Sequence, residues 1–496
     1  MRYTPRVASL VMTTVDFPAS EYQADGGFRP ARYRFEGSPD EGWAIQREGR
    51  PHLRLGPGYR LLRTHSCGVC STDLARRFLP FPLPQITGHE LVALDDEGAR
   101  YAVEINASHL ARGMRNDCPF CASGLANHCP ERIVLGIHDL PGGFGPWVLV
   151  PIRAALRIPD EIPTESAVLI EPLAAALNAV TTVAPRDGER IAVLGPRRLG
   201  MLVVAALAAW RRKHGASFEI LALSRRERLL ALARALGADE TRLVDESAGG
   251  AGGPLEPRLA DVVIDTTGDP RGLELALRLA RREVHLKSTH GRGACGLEHT
   301  TELVVDELAL APLPSAVPDR GSAAARDLGL DGTARPRVAW MADLQPPGWL
   351  SERSEVLRGS DAAAALDAIE AGAAGRLPRA EAAVALEPAQ VDAAIRPRAR
   401  ASGALIRPRG TILLHPSAAR SGSALLAAVA GGLRLSSSRC GDFHAAIELM
   451  AGDAHLRGVG ERLVTHRFSC AAVPQAFETA RSSDCIKAVV EHGEER

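Results

Sequence analysis

The chain has 496 residues, 46% of them hydrophobic, which is room for two or three separate cores. Lys plus Arg and Asp plus Glu number 59 each, so the formal net charge is zero, which argues against wholesale binding of nucleic acid or an acidic surface. No apolar run nears the roughly 20 residues of a membrane span, no signal-peptide core opens the chain, and nine cysteines, partly clustered, point to a reducing, cytoplasmic setting rather than a disulfide framework.

Residues 1–165 read as β-rich, with short apolar runs at 59–63 and 147–151 broken by Gly, Pro and Asp. Three motifs here and just beyond carry metal-ligating side chains. Cys70 and Thr72 sit in Gly-Val-Cys-Ser-Thr-Asp (68–73), His89 and Glu90 in Thr-Gly-His-Glu (87–90), and Glu171 opens Glu-Pro-Leu-Ala-Ala-Ala-Leu (171–177). A thiolate, an imidazole and a carboxylate are the donors of a catalytic zinc that keeps one position open. Gly68 is expected to let the chain turn tightly beside the metal. Thr72 would relay a proton, and Asp73 would orient a ligand. A second cluster, Cys118-Pro-Phe-Cys121 with Cys129, suggests a closed structural zinc that needs a fourth ligand from His109, Asp117 or His128. The alternative is a zinc lobe that now folds without metal.

From about 176 the pattern alternates between strand and helix. Strands are expected at 191–194, 219–223, 261–265 and 284–287, and helices at 199–213, 226–236 and 270–280, with Gly237 as a C-cap. This is the pattern of a doubly wound parallel sheet, and so of an α/β protein. The first strand leads into Gly195-Pro-Arg-Arg-Leu-Gly200, a nucleotide-binding turn in which Arg197 replaces the middle glycine. Gly195, Arg197, Arg198, Leu199 and Gly200 form the candidate cradle for a diphosphate. A side chain at 197 crowds it, while the two arginines offer charge-assisted hydrogen bonds. After the second strand stands Ser224-Arg225-Arg226, where an NAD site carries an acid on the ribose 2′-OH. Two Arg and no acid predict NADP over NAD.

Residues 311–404 break the rhythm. A strand-like piece at 337–341, a helix-like run at 361–369 and two Trp argue for a folded insertion. There is a faint echo between Glu-Val-His-Leu-Lys-Ser (283–288) and Gly-Thr-Ile-Leu-Leu-His-Pro (410–416), each followed later by another apolar run, at 307–313 and 433–437. The insertion is therefore expected to extend the sheet.

The motifs in this order resemble the zinc-dependent medium-chain dehydrogenase/reductase superfamily, over about 55–310 and 405–490. The resemblance implies a GroES-like β-rich catalytic domain (1–175) and a Rossmann nucleotide-binding domain (176–310, ending at 405–435). It also implies a C-terminal part (436–496) that returns to the catalytic domain. Cys70, His89 and Glu171 match the family's catalytic zinc ligands, Glu90 a near or alternate ligand, and Thr72 the proton-relay hydroxyl. The family's lobe has four Cys. Simple spacing puts Arg115 at the first of them, whereas an alignment through Val-Glu-Ile-Asn (103–106) puts His109 there. The implied activity is hydride transfer between NADP(H) and an alcohol, polyol or carbonyl substrate, by a homodimer paired through the terminal strands of the sheet. Two alternatives stand beside it: a relative recruited as a non-catalytic binding or assembly protein, and a non-dehydrogenase reaction with retained zinc and tightly held NADP.

Overall fold

The computed structural model describes residues 12–114, 118–244, 255–288, 291–332, 335–367, 377, 379–396 and 404–493. The chain divides into two compact units. The first comprises Met1–Asn116, Glu131–Glu171 and Arg457–Arg496, the second Asp117–Pro130 and Pro172–Leu456. The chain thus rejoins the first unit at Arg457, not at 436. The helix Phe443–Gly452 stays with the second unit. Among the described residues no helix is long and apolar enough to cross a membrane.

The sheets of the first unit are antiparallel except where Val464–Ser469 runs parallel to Lys487–Glu491. Thr13–Tyr22, Phe28–Ser38, Gly42–Arg47 and Arg50–Leu55 form a four-stranded sheet from the segment before the recognisable motifs. Its inward face carries Phe17, Tyr33, Phe35, Trp43 and Ile45, all buried. Buried Glu21 is held by the Tyr33 hydroxyl (2.6 Å) and the Arg47 guanidinium. In the second sheet Tyr59–Gly68 pairs on one side with Glu90–Leu94 and on the other with Lys487–Glu491, so a strand near the C-terminus is laid beside the first metal motif. The register sets Gly68 opposite both Glu90 and Val489.

Among the described residues the second unit has an eleven-stranded sheet, whose strands we number in chain order. They are β1 (Arg190–Leu194), β2 (Glu219–Ser224), β3 (Glu240–Leu243), β4 (Ala260–Asp265), β5 (Ala280–Leu286), β6 (Ala309–Pro312), β7 (Arg337–Trp340), β8 (Glu355–Arg358), β9 (Ala380–Ala385), β10 (Ile406–Leu414) and β11 (Arg434–Ser437). The spatial order is β3-β2-β1-β4-β5-β11-β6-β10-β9-β7-β8. β1, β2 and β4 are apolar and buried over most of their length, as in a parallel sheet with helices on both faces. The helices Arg198–His214, Glu227–Ala235 and Pro270–Leu279 fall where the 3.6-residue pattern puts them, and Gly237 closes the second with φ +110°.

Segment 311–404 adds β7, β8 and β9 to this sheet. A compact core forms there from Leu313, Leu328, Val338, Trp340, Leu350, Val384 and Leu413. The strand expected at 337–341 is β7. The helix expected at 361–369 is Gly359–Asp367, and positions beyond it lie outside the described residues.

Candidate metal and nucleotide sites

Gly68 ends its strand without a positive φ. Its lack of a side chain matters for space, because a Cβ there would lie 2.6 Å from Glu90 Oε2. The tight turn expected at Gly68 belongs instead to Gly88, at φ +97°, where a Cβ would also meet Cys67 Sγ at 2.7 Å.

Cys70 follows as the N-cap of the short helix Ser71–Leu74. Its backbone N–H donates to Asp73 Oδ2 (2.8 Å), while Asp73 Oδ1 accepts from the Gly88 N–H (3.2 Å). The buried Asp73 carboxylate therefore ties the two metal motifs together. It also places Oδ1 3.4 Å from His89 Nδ1, at an angle that makes no hydrogen bond, so this buried nitrogen stays without a partner. Burial by itself would push the His89 pKa down, but the negative charge of Asp73 and Cys70 holds it well above the ordinary range. Thr72 Oγ1 lies 3.8 Å from Cys70 Sγ and keeps partial access to solvent.

Glu90 is buried and paired with the buried Lys487 ammonium. The sequence reading missed Lys487, whose signal is weak: one basic residue in an apolar strand, Lys487–Glu491, remote from every motif. Glu171 stands in the first turn of Ile170–Val183. Burial pushes its carboxyl up to about 7, with His89 and Lys487 pulling it down and Glu90 and Asp73 pushing it up. These influences put Glu171 in the same electrostatic neighbourhood as the two motifs. A soft thiol, an unpartnered imidazole nitrogen and a desolvated carboxylate fit a zinc ion chemically.

The second cluster is tighter. Among the described residues His109, Cys118, Cys121 and Cys129 are the group of metal-ligating side chains whose ligand atoms all lie within 4.8 Å of one another. Cys70, His89, Glu90 and Glu171 form no group at that spacing. Cys118 and Cys129 sulfurs are 3.9 Å apart with no disulfide, and His109 Nε2 meets Glu131 (2.9 Å). Of the alternatives for the fourth ligand, His128 turns instead to Val305 O (3.3 Å) and Glu307 Oε2 (3.8 Å). Asp117 and Arg115 lie outside the described residues.

At the nucleotide turn Gly195 has φ +75°, and a Cβ there would lie 2.7 Å from the Thr267 side chain. Gly200 packs as closely on Thr266 Oγ1, at 2.5 Å for a Cβ. These two contacts seat the helix Arg198–His214 against β1 and β4 with its N-terminal amides at the strand end. Arg197 is the N-cap, and Arg197, Arg198 and Leu199 are all partly exposed. Ser224 ends β2, and its hydroxyl accepts from the Arg226 N–H (3.2 Å). Arg225 and Arg226 are exposed beside it.

Comparison with known proteins gives a consistent picture. The alcohol dehydrogenase GroES-like domain model matches residues 56–160. An L-threonine 3-dehydrogenase of Pectobacterium carotovorum is 28% identical over 259 residues, 48% of this chain and 68% of that protein. The L-galactonate-5-dehydrogenase of Escherichia coli is 29% identical over 244 residues, 46% of this chain and 67% of that protein. Among solved structures, a zinc-binding dehydrogenase from Sinorhizobium meliloti bound to NADP superposes with a TM-score of 0.52 at 18% identity, covering 96% of this chain and 98% of the other. That last likeness concerns the fold.

Proposed function

Because the chain belongs to the zinc-dependent medium-chain dehydrogenase/reductase superfamily and is an alcohol-dehydrogenase-like oxidoreductase, we propose that it transfers a hydride between NADP(H) and a small alcohol, polyol or carbonyl substrate. The observation that carries this reading is Asp73. One buried carboxylate holds the Cys70 backbone, the Gly88 backbone and the flank of His89, so the two motifs are preorganised as a pair.

Cys70, His89 and Glu171 would hold the zinc, which supplies Lewis-acid polarisation of the substrate oxygen. The residues around it do the rest. Asp73 holds the Cys70 and Gly88 backbones, and so the segments that present Cys70 and His89. Thr72, partly open to solvent, carries the proton between the substrate oxygen and water. Lys487 neutralises Glu90 and keeps that carboxylate in place beside Gly68. In the second unit, Gly195 and Gly200 seat the helix Arg198–His214 closely on Thr267 and Thr266, so that its N-terminal amides would be available to the diphosphate. Arg225 and Arg226 would meet the 2′-phosphate, and Ser224 leaves room for it where an acid would repel it.

His109, Cys118, Cys121 and Cys129 would hold a second, closed zinc that does no chemistry. Arg197 in the nucleotide turn favours one further reading, in which NADP is held tightly and reused for a reaction without net hydride transfer.

The test is metal and nucleotide analysis of purified protein with turnover assays. The proposal expects two zinc ions per chain and NADP(H)-dependent oxidation or reduction that Cys70→Ser abolishes. Protein purified without zinc yet active with NADPH would sink it. NADP that copurifies and is never turned over would select the further reading.

A further inference from the structure

The eleven-stranded sheet is parallel between neighbouring strands except at one place. β6 and β11 run antiparallel, with Leu310 opposite Leu435. Six strands lie on one side of this junction and five on the other. Each side is wound alike. On the first, β2-β1-β4-β5 stand side by side, so the chain starts in the middle, steps outward, then crosses back. On the second, β8-β7-β9-β10 repeat that path, with short helices between the strands. The faint sequence echo between 283–288 and 410–416 falls on the corresponding strands β5 and β10.

The two sides also exchange a strand. After β5 the chain passes through the helix Thr300–Val305 and lays β6 parallel to β10, in the second half. After β10 it passes through Ala424–Ala430 and lays β11 parallel to β5, in the first half. Each half is completed by the strand that follows the other. Side chains lock the exchange. Ser437 on β11 donates to Leu303 O (2.6 Å) and Leu308 O (2.8 Å) on the β5–β6 connection. Arg434 on β11 forks onto Asp327 of the insertion, which also accepts from Thr411 on β10. Arg409 on β10 reaches buried Glu307 just before β6 (2.9 Å). Leu310 and Leu435 are both fully buried at the junction.

A parallel half-sheet ending at a strand such as β11 presents a row of unpaired N–H and C=O groups, an edge that pairs readily with another chain. Two identical half-sheets joined through such edges meet antiparallel across a two-fold axis, the isologous arrangement of a symmetric dimer. The present sheet has that arrangement within one chain. Where β1 leads into the glycine turn, β7 ends in the buried Trp340, whose indole N–H donates to Leu344 O (2.7 Å).

We infer that the segment from β6 to β10 is an internal substitute for a second subunit: it completes the sheet across a pseudo-two-fold junction, so copies of this chain do not pair through β11. The terminal-strand homodimer expected from the resemblance is therefore replaced by an intrachain pairing. Among the described residues the outermost strands are β3 and β8, which are four residues each and begin with Glu240 and Glu355, features that blunt edge pairing.

Hydrogen exchange on the wild-type protein tests this without a variant. Amides of 309–312 and 434–437 should exchange slowly, at a rate unchanged by a hundredfold dilution. Protection that falls on dilution would mean that a second chain covers β11 and would overturn the inference. Cross-linking gives an independent readout. Cα atoms of opposed antiparallel residues lie within disulfide range, so Leu310→Cys with Leu435→Cys should form, on mild oxidation, a bridge within a species of one-chain mass, 52.7 kDa. Leu435→Cys alone should form no more two-chain species than wild type. Chain-to-chain bridges through position 435 would overturn it.

Discussion

Replacing Lys487 with Met while Glu90 is kept removes one partner of a buried ion pair. The two side chains are 5% and 1% exposed, so neither has water to fall back on. Glu90 would then face Gly68 and the desolvated Glu171 carboxyl as an uncompensated charge. Breaking a buried pair from one side typically costs about 3–5 kcal/mol, whereas replacing both partners by apolar residues is often close to neutral. The expected order is therefore wild type, then Lys487→Met with Glu90→Met, then Lys487→Met alone as the least stable. Urea unfolding of metal-stripped protein gives the measurement, with hydrogen exchange of 59–68 and 487–491 reporting on the first unit itself. A single variant that loses less than about 1 kcal/mol, or a double variant no better than the single, would refute the view of Lys487 as the neutralising partner of Glu90.

Three further outcomes are expected. Ser224→Asp should weaken NADPH binding by about 10- to 150-fold, the loss of roughly 1.5–3 kcal/mol for a charge-assisted contact, while NADH binding holds or improves; titration of both nucleotides decides it. Cys121→Ala should remove one zinc per chain and lower the melting temperature, while activity per folded molecule stays within about twofold, as for a closed site that does no chemistry; metal analysis and kinetics on the soluble fraction check this. Glu171 carries the pH dependence of metal-free protein. Its carboxyl is raised from 4.5 to about 7, so the folded state binds the proton more tightly than the unfolded chain does. Stability from this group is full below about 4.5 and falls as pH rises toward 7, and Glu171→Gln should flatten that slope in pH-dependent unfolding.

How legible the molecule is in its sequence differs from part to part. The βαβ rhythm at 190–287 is readable because those strands are buried on both faces and those helices carry a continuous apolar stripe, so local pattern and final position agree. Cys70, His89, Glu171 and the cysteine lobe stand out as candidates because side chains able to hold a metal are few in type and here sit in short motifs. The extension of the sheet by 311–404 shows in its Trp and Leu content and in the echo between β5 and β10.

Other features are set by which distant residues meet. Gly68 reads as a turn, yet its role is to clear Glu90, and only strand register puts the two opposite each other. Lys487 lies 397 positions from Glu90, and no local pattern links them. His109 and His128 are equal candidates by spacing; the fold turns His128 to Glu307 and leaves His109 with the three cysteines. The exchange of β6 and β11 is invisible to any window of sequence, because neither Ala-Leu-Ala-Pro nor Arg-Leu-Ser-Ser carries a local signal for the strand it will pair with. Local chemistry determined the elements and the donor types. Non-local pairing, whose energy comes from burial and hydrogen bonds between segments far apart in the chain, decided which elements became neighbours.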